Sequence, residues 1–223
     1  MALNLVAASS QCLTSVSANA LLSYPFTLLS TASPNATGVA YYIYDCGNNA
    51  SALSNSFKIR AAGDSANTAR ITAADGATSD ASSTSTNFVA SAYQKFTYIG
   101  TSSTSRSVLL NNAGITTSAV AMTPTGINNA TIGALDLLSV KANFFDGQIA
   151  HVCAWNVVLT AAELAQYQAG ISPLAIRRSA LLFYLPLDTN IIDVTGNTTW
   201  TNVNGATFVA SNLGTYIPRP WLQ

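Results

Sequence analysis

Residues able to carry acid–base or nucleophilic chemistry are few. The 223-residue chain holds one glutamate (Glu163), eight aspartates, one histidine (His151) and three cysteines. Glycoside hydrolysis needs two carboxylates flanking the scissile bond, and no strand shows the alternating E-x-D-x-x-E run that would supply them. A Ser-His-Asp triad lacks its nucleophile elbow, because no G-x-S-x-G occurs. His151 lies in the strand-like run IAHVCAW. Strict alternation there puts Ile149 and His151 on one face and Ala150 and Val152 on the other, so His151 is expected against a sheet surface or loop rather than as a base. No enzyme is expected.

A cation is the next question. Asp45, Asp64, Asp75, Asp80, Asp136, Asp146 and Asp193 are the candidate Ca²⁺ ligands, yet a calcium site needs several converging oxygens and no EF-type loop is present. Asp146 in FFDGQI reads as a turn cap beside Gly147, and Asp193 in DVTGN as an Asx turn. No cofactor is therefore expected, with a bound Ca²⁺ as the alternative. Cys12, Cys46 and Cys153 are widely spaced with no C-x-x-C, which reads as buried thiols, with one disulfide plus a spare thiol as the alternative. Sugar recognition would use an exposed aromatic beside polar groups. Alternation places Tyr42 and Tyr44 on one face and Tyr41 on the other; Trp200 and Trp221 read as the freer tryptophans. The sequons at Asn35, Asn49, Asn129 and Asn197 follow from the Asn and Thr content.

Charged residues make up 8% of the chain, against roughly a quarter in ordinary soluble domains. Ser, Thr and Asn fill 69 positions, so neutral hydrogen-bonding groups carry the polarity. With nine basic and nine acidic groups, the chain lacks the cation excess that displaces phosphate counterions, and nucleic acid is set aside. No apolar run approaches the roughly 20 residues that span a bilayer. No Lys or Arg precedes Lys58, so the start lacks the basic region of a signal peptide, and folding in a cytoplasm is expected.

The elements that must position these groups are short strands between Gly, Asn, Ser and Thr turns. Strands are expected at Gln11–Ala18, Pro25–Ser30, Val39–Tyr44, Phe57–Ala61, Ala69–Ala73, Phe88–Ala92, Lys95–Gly100, Arg106–Leu110 and Ala180–Leu187. The Ala/Ser/Thr-rich stretch Asp64–Ser85 reads as edge strands with polar loops. Trp200–Ala210 reads as a hairpin about Asn204-Gly205. One helix is expected at about 160–169. Thr160 is its N-cap, Glu163 completes a capping box, Leu159 and Leu164 form a hydrophobic staple, and Gly170 supplies the left-handed stop. Leu164 and Tyr167 share the face that lies on a sheet. The Pro-rich end, 216–223, reads as an extended tail that packs along a neighbour or stays mobile.

The stretch Ile132–Pro173, which includes FFDGQIAHVCAWNVVLTAAELAQYQAGISP, resembles the closing part of laminin G-like, concanavalin A-like jelly-roll domains. The matching positions are Ile132, Gly133, Phe145, Gly147, Ile149, Val152, Trp155, Asn156, Leu159, Glu163 and Gly170. PFTLLS resembles that family's early strand. Tyr93–Leu110 resembles its central hairpin, with Tyr93 where a tryptophan is usual. The run ALLFYLPLDTNIIDVTGNTTWTNVNGATFVA resembles the segment that ordinarily opens such domains, but here it comes last. This order, with the joint Gly170–Arg177 (GISPLAIR), resembles laminin G-like proteins encoded by tailed bacteriophages.

The resemblance implies an all-β jelly-roll sandwich with one short helix, in a single domain over 1–215, with Trp155 in the core. Gly147, Trp155, Asn156, Thr160, Glu163 and Gly170 are its structural motif. It further implies a structural virion protein, as a capsid decoration or surface-fibre component, whose partners are other virion proteins and copies of itself, a trimer being favoured. The alternative is a carbohydrate-binding module that recognises a host surface glycan at a fibre or tail tip.

Overall fold

Alternating apolar residues on two sets of antiparallel strands meet face to face and bury one core between them. The structure is a computed structural model, and it describes residues 1–48, 55–63, 66–76, 78–137, 140–211 and 213. In chain order the strands are β1 (Ala2–Leu5), β2 (Cys12–Ser15), β3 (Phe26–Pro34), β4 (Ala40–Gly47), β5 (Ser56–Ala62), β6 (Thr68–Ala74), β7 (Ser79–Asn87), β8 (Gln94–Ser102) and β9 (Ser105–Leu110). They continue with β10 (Ala113–Ser118), β11 (Asn129–Ile132), β12 (Leu135–Leu137), β13 (Val140–Ala142) and β14 (Gly147–Trp155). The helix α1 (Ala161–Gln168) follows, then β15 (Leu181–Leu185), β16 (Thr201–Val203) and β17 (Thr207–Val209).

One sheet runs β10-β9-β8-β3-β14-β1-β17, with β15 also on β14; the other runs β16-β2-β11-β4-β5-β6-β7. This is the concanavalin A-like jelly-roll sandwich with one short helix. The late segment completes it by filling gaps in both sheets. β15 takes the half of β14 that β1 leaves open, β16 pairs with β2, and β17 pairs with β1. Phe26, Leu28, Phe96, Tyr98, Ile149 and Phe183 from the first sheet pack on Tyr44, Phe57, Ile59 and Ile71 from the second.

A second apolar cluster lies on the outer side of the eight-stranded sheet, where Leu159, Leu164 and Tyr167 cover Leu29, Cys153, Trp155 and Tyr184. Trp155 is fully buried there, and its Nε1–H donates to Ile176 O at 2.9 Å. The helix starts where Thr160 Oγ1 accepts from Glu163 N–H (3.3 Å) while Glu163 Oε2 accepts from Thr160 N–H (2.7 Å). It ends in a Schellman turn. Gly170, at φ +83°, donates to Tyr167 O, and Ile171 donates to Gln166 O. Lys95 Nζ donates to Tyr167 O and Gln168 O, placing a cation on the helix C-terminus. Asn156 is exposed, and its N–H joins Ala180 O at 3.0 Å.

Several expectations need correction. The strand expected to end at Tyr44 continues to Gly47, because Asp45 and Cys46 pair on both sides, with β11 and β5. Phe88–Ala92 is not a strand: Ser91 takes φ +58° and its N–H bonds Pro34 O in a turn. Asn204-Gly205 does not join a hairpin. Asn202 grips Ala206 through both its side-chain donor and acceptor, and the chain crosses from one sheet to the other. Tyr41 and Tyr44 both enter the core, because an extra residue at Ile43 shifts the β4–β5 register and reverses the alternation. Trp200 is buried against Tyr44 and Phe183. Trp221 and the tail 216–223 lie outside the described residues.

Candidate functional site

The residues expected to do chemistry are dispersed. His151 is the extra residue of a β-bulge in β14, held at φ +54°, so Ile149 and Val152 both point into the core instead of to opposite faces. Its Nδ1 lies 2.8 Å from the Tyr184 hydroxyl, and burial pushes its pKa down to about 4. Glu163 is taken by the capping box and by Arg177 Nε at 2.7 Å. Cys12, Cys46 and Cys153 are buried free thiols, and burial raises the pKa of each.

The aspartates do not assemble into a metal cage: among the described residues no group of three or more His, Cys, Asp or Glu is placed to hold a metal ion. Asp193 accepts from the N–H groups of Tyr184, Thr195, Asn197 and Thr198 and pins a turn. Asp80 pairs with the buried Arg106. Asp45 of β4 and Asp136 of β12 meet, with Asp45 Oδ2 accepting from Asp136 N–H at 2.9 Å. Asp64 lies outside the described residues.

Two clefts open at the end of the sandwich where β3 finishes and β14 begins. Gly147 makes that junction. Its φ is +140°, and a Cβ there would lie 2.2 Å from Ser33 O, so only glycine fits beside β3. The chain before it brings Asp146 against Asn35. Asn35 N–H donates to Asp146 O at 2.9 Å, Asn35 Nδ2 donates to Asp146 Oδ2 at 3.3 Å, and Ala7 N–H reaches Asp146 Oδ1 at 3.4 Å.

This joint is shared between the clefts. On the Asn35 side a cleft of about 580 Å³ is lined by Ser33, Ser91, Tyr93, Gln148 and Ser211. Tyr93 donates to Gln148 Oε1, and burial raises its pKa against the opposing effect of the Ser211 hydroxyl. On the Asp146 side a cleft of about 490 Å³ is lined by Tyr41, Asn143, Phe144, Val6, Ala7 and Ala8. The first cleft thus sets the Tyr93 ring beside amides and hydroxyls, and the second sets Tyr41 and Phe144 beside Asn143, Asp146 and apolar side chains. Among their lining residues Asp146 is the one carboxylate, so the arrangement offers hydrogen bonds and ring faces without a proton-transfer pair.

Asp146 was read from the sequence as a turn cap, and Tyr93 only as a substituted family tryptophan. Asn35 stands out in the sequence only as a sequon, and Gln148 and Ser211 carry no signal beyond their polarity, because the cleft joins segments that are far apart in the chain.

No family model matches the chain, and no curated protein sequence does. Solved structures match its fold. A Bacteroides ovatus protein assigned to carbohydrate binding superposes with TM-score 0.67 at 16% identity, over 94% of this chain and 60% of that one. This chain therefore spans less than two thirds of that protein's length. The CBM40 module of a Ruminococcus gnavus IT-sialidase, bound to α2,3 sialyllactose, gives 0.60 at 13% identity, over 75% and 95%. The native heptameric SAP-like pentraxin of Limulus polyphemus gives 0.58 at 12%, over 88% and 87%. At these identities the likeness is one of fold, and the fold is the concanavalin A-like jelly roll.

Proposed function

We propose that this chain is a carbohydrate-binding module, a single domain over 1–215 that recognises a saccharide and does not cleave it. The observation that carries the reading is the Asn35–Asp146 joint set between two ring-bearing clefts, a donor–acceptor pair suited to adjacent sugar hydroxyls, with Tyr93 and Phe144 as flanking ring faces. The carbohydrate-binding proteins that share the fold support it. A glycan array followed by calorimetry tests it. Tyr93→Ala and Asn35→Ala are expected to weaken the best array hit at least tenfold while melting like the parent. An array without hits, or hits untouched by both variants, overturns it.

The site of action is proposed to be the surface of a tailed-phage virion, in trimers. The order of the closing segment, the Gly170–Arg177 joint and the 8% charge support this placement. Immunogold microscopy of purified particles tests it, and particles without label overturn it.

A further inference from the structure

The outer face of the seven-stranded sheet carries a different chemistry from the clefts. Phe57, Ile59 and Ala61 of β5 and Ala69, Ile71 and Ala73 of β6 point into the core. Lys58, Arg60 and Arg70 therefore point away from it. The register sets Tyr42, Arg60, Arg70 and Ser83 side by side across β4, β5, β6 and β7. At about 4.8 Å per strand this row is roughly 14 Å long, the length of a short oligosaccharide. The Arg60 guanidinium lies 5.6 Å from the centre of the Tyr42 ring, and all three long side chains are half-buried. Each also makes further contacts within the chain, so they are held rather than loose.

Arg60 and Arg70 lie directly opposite each other on β5 and β6, beside the edge strand β7. One row along, Lys58 adds a third cation, with Asp45 opposite it as the described acid on that row. Three of the nine Lys and Arg residues of a sparsely charged chain are thus gathered on two adjacent strands.

We infer that Arg60 and Arg70 form a second binding site, which takes the carboxylate or sulfate of an acidic saccharide and seats a sugar ring beside Tyr42. Planar guanidinium forks match an oxyanion in two-point hydrogen bonding. The saccharide part of this ligand rests on the carbohydrate-binding reading; the oxyanion part rests on the arginines alone.

The test is a titration of the full chain, watched through the arginine Nε–H NMR signals, with trigalacturonate, its neutral methyl ester and a sulfated galactose oligosaccharide. An acidic probe is expected to shift the Arg60 and Arg70 signals, and the arm that does so names the oxyanion. The ester is expected to leave them in place. Arg70→Gln and Arg60→Lys are expected to weaken the acidic probe at least tenfold, the lysine variant separating two-point recognition from charge. Tyr93→Ala is expected to change nothing here, so failure of the cleft reading and failure of this site are separable. Equal binding of ester and acid, arginine signals that respond to neither acidic probe, or inorganic sulfate matching the oligosaccharides in affinity would each overturn the assignment.

Discussion

His151 Nδ1 sits 2.8 Å from the Tyr184 hydroxyl, where β14 changes partner from β1 to β15. Burial first, then the positive charges of Lys95 and the N-terminus, lower its pKa from 6.5 to about 4, against the pull of Asp188. A folded pKa below the unfolded value means that stability is whole above about pH 6.5 and is lost as pH falls toward 4. The shift corresponds to ~3 kcal/mol at most. His151→Asn, a residue that tolerates the positive φ, is expected to flatten the acid limb of a plot of Tm against pH. Melts at pH 4.5, 5.5 and 7 decide it, and an unchanged limb contradicts it.

Asp45 has the opposite sign. Burial, opposed by Lys58, the Asp136 N–H and Lys141 and joined by the Asp136 charge, raises its pKa from 3.8 to about 6. The folded state then holds the proton more tightly than the unfolded chain, so stability falls as pH rises from about 4 to 6 and stays lower above. The effect is again ~3 kcal/mol at most. Asp45→Asn keeps an oxygen for the Asp136 N–H and removes the buried charge. It is expected to raise Tm at pH 7 and to leave it nearly unchanged at pH 4. Because the two slopes oppose each other between pH 4 and 6, each variant should also expose the other group's titration. Calorimetric scans of both variants and the double variant across that range check this.

The helix and the two-sheet architecture were legible because their signals are local. Thr160 and Glu163 sit at capping-box spacing, and Phe57, Ile59 and Ala61 alternate without interruption. The bulges at Ile43 and His151 were not legible, since one inserted residue looks like any other until a partner strand fixes the register. Asn204-Gly205 has the composition of a hairpin turn and serves instead as a bridge between sheets, a choice made by strand partners β1 and β2 at the other end of the chain. The same reason hid both candidate sites. Asn35 meets Asp146 across 111 positions, and Arg60 meets Arg70 only once β5 and β6 are paired.

The capping box also ties the helix to the segment after it, since Glu163 bonds both Thr160 and Arg177. Thr160→Ala removes the side-chain acceptor for Glu163 N–H and is expected to cost ~1 kcal/mol, with Thr160→Ser retaining most of it. Urea unfolding at pH 7 measures both. Equal midpoints for the alanine variant and the parent would mean that packing of Leu164 and Tyr167 alone sets the helix.

Arg106 tests how the open side of the sandwich is closed. Val108 and Leu110 point into the core, so Arg106 on the same strand points inward too, and it is 1% exposed. Its guanidinium donates to Asp80 Oδ2 at 2.8 Å, Val120 O at 2.6 Å and Ser103 O, and reaches Tyr24 Oη and Ser118 Oγ at 3.4 Å. The ion pair therefore joins β7 of one sheet to β9 of the other, at the strands where their edges approach. Removing one partner of such a pair strands a buried charge, which costs far more than the pair itself contributes. Asp80→Ala is expected to lose about 3–5 kcal/mol, whereas Arg106→Met combined with Asp80→Ala is expected to recover much of that. A double-mutant cycle in guanidinium chloride gives the coupling. If the double variant is as unstable as the sum of the singles, the neutral hydrogen bonds to Val120 and Ser103, and not the charge pair, hold the two sheets together at this edge.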